Sequence, residues 1–84
     1  MPDPLPLPNR SLEDEKADLV KADQDIADGE RRVTEQVARI EKLRADGHDT
    51  SRAEGMLLTL KAALAEWYAH RAEILGRIDR LQNF

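Results

Sequence analysis

The sequence predicts an all-α protein: an antiparallel two-helix coiled-coil hairpin that dimerises into a four-helix bundle. Two long segments carry apolar residues at alternating steps of three and four, the spacing of a helical seam. Between them lies "DGHDTS", which joins a helix-ending glycine to good helix-starting residues. No proline occurs after Pro8. We therefore expect one helical domain over residues 11–84, preceded by an arm at residues 1–10.

The arm contains "PDPLPLP", with proline at every second position. Proline has a fixed φ angle and no amide donor, so this segment is predicted to be extended or disordered. Ligands of SH3-like grooves carry prolines three residues apart, so the spacing does not favour that role.

Helix one is predicted over about residues 11–46. It opens with "SLED", in which Ser11 and Asp14 have the spacing of a capping box. Apolar residues then recur every seven positions, which predicts one stripe of a coiled-coil seam. This stripe comprises Leu12, Leu19, Ile26, Val33 and Ile40. The partner positions are smaller or more polar: Glu15, Ala22, Gly29, Gln36 and Leu43.

The turn is predicted at residues 47–50 and helix two at about residues 51–82. Gly47 suits the left-handed residue that closes a helix. "SRAE" has the form of a second capping box, formed by Ser51 and Glu54. A loop this short makes the two helices antiparallel and leaves His48 at the tip, in water.

Helix two continues the heptad pattern, broken by Arg71, which we expect to pair with Asp23, Asp25 or Glu30. Gly29 is expected to lie across from Trp67 and Arg71 and to make room for the indole. The predicted hairpin seam comprises Leu19, Ile26, Val33, Ile40, Leu57, Leu60, Leu64, Trp67, Ile74 and Ile78.

Charge also favours an antiparallel pair. Residues 13–30 hold eight acidic residues against Lys16 and Lys21, and the end of helix two carries Arg71, Arg77 and Arg80. An antiparallel hairpin places these opposite charges side by side. Because an exposed ion pair contributes only about 0.2–1 kcal/mol, the pattern indicates orientation and not stability.

A second stripe on helix two predicts self-association. It consists of Gly55, Leu58, Ala62, Ala65, Ala69, Ala72 and Gly76. Small residues at this spacing let two helix backbones approach closely, and a helix-interior glycine costs about 1 kcal/mol, so two of them need a reason. Met56, Ala63, Tyr68 and Leu75 widen the apolar surface. The interpretation is a homodimer with helix two inside and helix one outside.

Composition excludes several classes of function. With 84 residues the chain forms at most one domain, and without cysteine it has neither disulfides nor thiolate metal sites. A net charge of -4 argues against nucleic acid as a partner, and no apolar run is long enough to span a membrane. No nucleophile with a placed base, phosphate loop or cofactor fingerprint is present. We expect a cytoplasmic, non-enzymatic protein that needs no cofactor or metal and that binds itself, with another protein as the second candidate partner.

Two other functions remain open as alternatives. Glu66, His70 and Glu73 follow one another at steps of four and three on helix two, so dimerisation could assemble them into a metal- or small-ligand-binding bundle. The acids of helix one could act as a decoy that binds a basic protein. His48 and Asp49 supply only two ligands on a turn, which is too few for a zinc site.

The segments "LRADGHDTSRAE" and "WYAHRAEIL" resemble a group of short hypothetical proteins from alphaproteobacteria. The shared pattern is of the type "LR.DGHDT..AE..L" followed by "W..HR..I", and the resemblance covers roughly residues 29–75. It implies a bacterial, cytoplasmic setting. No activity is assigned to the group, so the resemblance implies no catalytic residue.

Overall fold

A computed structural model describes residues 11–83, and the predicted arm at residues 1–10 lies outside them. Two α-helices make up the fold: α1, Leu12–Ala45, and α2, Ser51–Gln82. Contacts between them link early residues of α1 to late residues of α2, as between Glu15 and Arg77, and residues near the turn to each other, as between Arg44 and Glu54. The predicted antiparallel helical hairpin is confirmed.

The start of α1 is fixed by local hydrogen bonds. The Ser11 hydroxyl accepts from the Asp14 amide at 3.1 Å, and the Asp14 carboxylate accepts from the Ser11 amide at 3.2 Å. This is the capping box predicted from "SLED". Glu13, Asp14 and Glu15 lie in the first turn, where the helix dipole favours negative charge.

The end of α1 is closed by a left-handed glycine. Gly47 has a φ of +79°, and its amide donates to the Arg44 carbonyl at 3.1 Å. The His48 amide donates to the Leu43 carbonyl at 2.9 Å, which completes a Schellman motif. These two bonds satisfy carbonyls that the helix end would otherwise leave unpaired, so the chain turns at Gly47.

The predicted capping box at the start of α2 is wrong. Thr50 is the N-cap residue, its ψ of 3° is not extended, and its side chain makes no capping hydrogen bond. Asp49 stabilises this end instead, because its carboxylate accepts from the amide of Ser51 at 2.9 Å and from its hydroxyl at 2.7 Å. Glu54 does not reach back to Ser51 but pairs with Arg44 at 3.0 Å.

The seam between the helices is narrow and partly polar. All ten seam residues predicted from the sequence are buried or half-buried in the hairpin. The smaller partner positions of α1 are at least as enclosed, since Ala22, Gln36 and Glu15 are buried. Among the described residues, the buried apolar side chains are Ala22, Ile26, Ile40 and Ile74. The core of a single hairpin is therefore very small.

Gly29 makes room for a different residue from the one predicted. A Cβ atom at Gly29 would lie 3.1 Å from Cδ1 of Leu64, closer than ordinary packing allows. The side chain that needs the glycine is thus Leu64 and not the indole of Trp67. The register of the two helices places Leu64 opposite Gly29, nearly one helical turn before Trp67.

Candidate interaction surfaces

Besides the Arg44–Glu54 ion pair beside the turn, four polar contacts cross between the helices and fix their register. Arg77 donates to both carboxylate oxygens of Glu15, and Arg71 Nε lies 2.6 Å from Asp23 Oδ1, one of the three partners predicted for Arg71. Tyr68 Oη donates to Glu30 Oε2 at 2.8 Å, and Gln36 Nε2 donates to the Ala53 carbonyl at 2.9 Å. A slip of either helix would break all four at once. Arg80, predicted to face the same acids, has no ion pair within residues 11–83.

The hydrogen bond to Glu30 affects the ionisation of Tyr68. The carboxylate accepts from the phenol, which raises the pKa of Tyr68 above its usual value, and partial burial raises it further. Tyr68 remains about half exposed and lies at the border between the hairpin seam and the open side of α2.

The stripe predicted for self-association lies on the side of α2 that faces away from α1. At 3.6 residues per turn, its mean direction is about 160° from the hairpin seam. Six of the seven residues are exposed and Gly76 is half-buried. We call this surface the outer face: Gly55, Leu58, Ala62, Ala65, Ala69, Ala72 and Gly76. Leu58 has 70% of its surface exposed, which leaves a large apolar side chain in solvent.

Further apolar residues adjoin the outer face on one side. Tyr68 and Leu75 lie between the outer face and α1, with 47% and 39% of their surfaces exposed. The only charged side chains along this border, from residue 54 to residue 79, are Glu54, Lys61 and Asp79. The apolar surface of α2 is therefore wider than α1 can cover.

Histidines do not form a metal site within one hairpin. No three His, Asp or Glu side chains in residues 11–83 come close enough together to hold an ion. His48 is exposed at the turn, and the carboxylate of the neighbouring Asp49 is held by Ser51, which lowers the pKa of Asp49. His70 is exposed and packs edge-on against Trp67, with ring centroids 5.7 Å apart. The alternative with Glu66, His70 and Glu73 needs a second copy and stays a prediction.

The structure contains a groove near the turn that the sequence analysis did not predict. It runs between the helices on one side of the hairpin, with Arg39 and Leu43 from α1 and Arg52 and Met56 from α2 along it. We call it the turn-side groove. Glu35 lies four residues before Arg39, and Asp49 lies three residues before Arg52. This spacing predicts that each arginine forms an ion pair with the acid before it. In the structure these acids contact other residues, Arg31 and Ser51.

Neither described helix contains a stretch long and apolar enough to cross a membrane. Comparisons of the chain with protein families, with curated proteins and with solved structures find no match. The exposed surfaces of the hairpin are the candidate sites of function.

Proposed function

We propose that this protein is a small non-enzymatic scaffold that self-associates through the outer face of α2. Two hairpins would pack with their α2 helices in contact and their α1 helices outside, as a four-helix bundle. The observation that supports this most directly is the exposure of Leu58, Tyr68 and Leu75 along or beside a stripe of alanines. On the resemblance alone, we place the scaffold in the bacterial cytoplasm.

The size of the core supports a partner. Stable domains usually bury two packed layers of secondary structure around one core, and a two-helix hairpin is a single layer. Chains below about 70–80 residues of folded structure rarely gain enough from one core alone. Burying one leucine side chain contributes roughly 1.5–3 kcal/mol, and a two-fold dimer would cover Leu58 in each copy. Self-association would thus supply the burial that one hairpin lacks.

The glycines of the outer face support close contact with another helix. The glycine at position 29 is explained by packing within the hairpin, because Leu64 packs against it. No such packing explains Gly55, since an added Cβ atom there would meet nothing within 4 Å. At Gly76 an added Cβ atom would meet only the end of the Arg80 side chain, at an ordinary contact distance of 3.6 Å. Each helix-interior glycine costs about 1 kcal/mol relative to alanine. Close approach of a second α2 backbone would explain both residues.

The two alternatives predict different behaviour. A metal-binding bundle assembled from Glu66, His70 and Glu73 of two copies should lose thermal stability when a chelator is added. An acidic decoy should bind a basic protein with strong salt dependence. The decoy is less favoured because several acids of residues 13–30 are engaged within the hairpin, including Asp23 with Arg71 and Asp25 with Lys21.

The test is the solution mass of the full chain, measured by light scattering behind a sizing column. The wild type is expected to have twice the chain mass, with and without chelator. Ala65→Glu places a charge in the middle of the outer face and is expected to give a monomer that remains helical by circular dichroism. Ala27→Glu, the same change at an exposed position of α1, is the control and should remain dimeric. A monomeric wild type, or an Ala65→Glu dimer, would refute self-association through this face.

A further inference from the structure

The turn-side groove differs from the outer face in position and in charge. It consists of two adjoining hollows of about 700 Å³ and about 440 Å³, which share Arg39 and Met56 and are both open to solvent. Gln36, Arg39 and Leu60 line it, and it continues past Leu43, Arg52 and Met56 towards the turn. It lies between the two helices, more than about a third of a turn around α2 from the outer face, so self-association through the outer face would leave it accessible.

Two arginines of this groove have no partner inside the hairpin. Between residues 31 and 52 the other cations are paired: Arg31 and Arg32 with Asp28, Lys42 with Asp46, and Arg44 with Glu54. The side chains of Arg39 and Arg52 make no ion pair or hydrogen bond with any residue in the range 11–83. Arg39 lies on α1 and Arg52 lies on α2, so each wall of the groove carries one guanidinium group that is not paired within the hairpin.

The carboxylates of the groove do not neutralise these arginines. Glu35 and Asp49 also line it. Glu35 is 3.9 Å from Arg31, and both hydrogen bonds of Ser51 go to the Asp49 carboxylate. Arginine is the side chain best suited to bind a carboxylate through two parallel hydrogen bonds. Four cationic side chains line the groove against these two carboxylates, namely Arg32, Arg39, Lys42 and Arg52, so its net charge is positive.

The floor of the groove is apolar. Met56 has 57% of its surface exposed, and Leu43, Ala53 and Leu60 are half-buried beneath and beside it. Methionine is a flexible, polarisable side chain that adapts to different binding partners. A small ligand usually has most of its surface enclosed, which an open groove cannot provide. A groove between two helices that lie side by side instead fits a third helix, which would lie along the groove with its apolar side in contact with the groove floor.

We propose that the turn-side groove binds an acidic amphipathic helix of another protein. The apolar stripe of that helix would cover Met56 and Leu60, and acidic residues on its two edges would pair with Arg39 and Arg52. A second copy of this chain fits less well, because most of its acidic residues 13–30 already have contacts within their own hairpin, as Asp23 does with Arg71. This inference does not depend on dimerisation.

The test uses the full chain and dye-labelled helical peptides, with binding followed by fluorescence anisotropy. Three peptides carry Leu at heptad a and d positions and Glu at the flanking positions, in three different sequences, and matched peptides carry Lys in place of Glu. We expect at least one Glu peptide to bind, more weakly as salt rises, and the Lys peptides not to bind. The double variant Arg39→Gln/Arg52→Gln should weaken binding at least about tenfold.

Control variants separate this groove from other causes. Arg80→Gln removes a cation without an ion-pair partner in the described range, outside the groove, and should change binding less than about twofold. Met56→Ser should weaken it, and Ala65→Glu should leave it unchanged even if it abolishes the dimer. The proposal is overturned if no Glu peptide binds, if Lys peptides bind equally well, or if Arg80→Gln weakens binding as much as the double variant. It is also overturned if the double variant alters only the mass of the protein, which would identify a second copy as the occupant.

Discussion

The Nε atom of Arg77 lies 2.9 Å and 3.0 Å from the two carboxylate oxygens of Glu15. The Glu15 side chain is fully buried, while the Arg77 side chain is about one-third exposed. This pair lies at the open end of the hairpin, where no turn connects the helices. It therefore holds together the part of the fold that chain connectivity constrains least.

Loss of Arg77 should destabilise the hairpin. Arg77→Met keeps much of the aliphatic length but leaves a buried carboxylate without this guanidinium. Breaking a buried ion pair costs about 3–5 kcal/mol, and solvent access to Arg77 reduces this, so we expect a loss of about 1–3 kcal/mol in the free energy of unfolding. Urea denaturation followed by circular dichroism measures it.

Two further variants serve as controls for the stability loss of Arg77→Met. Arg80→Met is the control at a nearby position on the same helix and should cost less than about 0.5 kcal/mol. Glu15→Leu/Arg77→Met removes both charges and should recover most of the stability, because an apolar pair can replace a buried ion pair. Equal losses for Arg77→Met and Arg80→Met would contradict the structural role of the pair.

The left-handed conformation of Gly47 should make it intolerant of most side chains. Gly47→Ala places a Cβ atom at a φ of +79°, which costs about 1–2 kcal/mol. Asparagine adopts this conformation more readily, so Gly47→Asn should cost clearly less. Thermal unfolding of the three proteins at one concentration gives the comparison. If alanine and asparagine are equally tolerated, the Schellman turn does not limit stability.

Tyr68 should titrate above the usual tyrosine value of about 10, because the folded state favours the protonated phenol bound to Glu30. Its folded pKa is raised, so its contribution to stability is complete below the unfolded pKa and is lost as the pH rises through the folded pKa. Tyr68 is the only tyrosine, so ultraviolet absorbance of the phenolate reports it directly. Glu30→Gln should lower the midpoint towards 10. An unchanged midpoint would show that the hydrogen bond does not persist in solution.

The extent of the helices and the turn were readable from the sequence because their causes are local. The Ser11 capping box, the proline-free length and Gly47 act within a few residues. The prediction of a second capping box at Ser51 and Glu54 was wrong for a related reason. Asp49, Thr50 and Ser51 are all competent to cap a helix, and sequence spacing cannot rank three adjacent candidates. The backbone conformation at each of these three residues decides which side chain accepts a hydrogen bond from an amide at the start of α2.

The stagger of the helices was beyond local reasoning. Heptad spacing identified which side of each helix faces the other but not which residue lies opposite which, and so Gly29 was assigned to Trp67 instead of Leu64. Axial register depends on the summed packing of the whole seam and on cross-helix polar contacts such as that of Gln36 with the Ala53 carbonyl.

The sequence by itself determined an antiparallel α-hairpin, its heptad seam and a stripe of small residues on α2, since each follows from periodicity and local chemistry. Only the tertiary structure decided which charges are satisfied. Glu35 could pair with Arg31 or Arg39, and Asp49 with Arg52 or Ser51, and the sequence ranks these choices equally. Side-chain geometry in the folded hairpin selects Arg31 and Ser51, and for that physical reason Arg39 and Arg52 remain available in the turn-side groove.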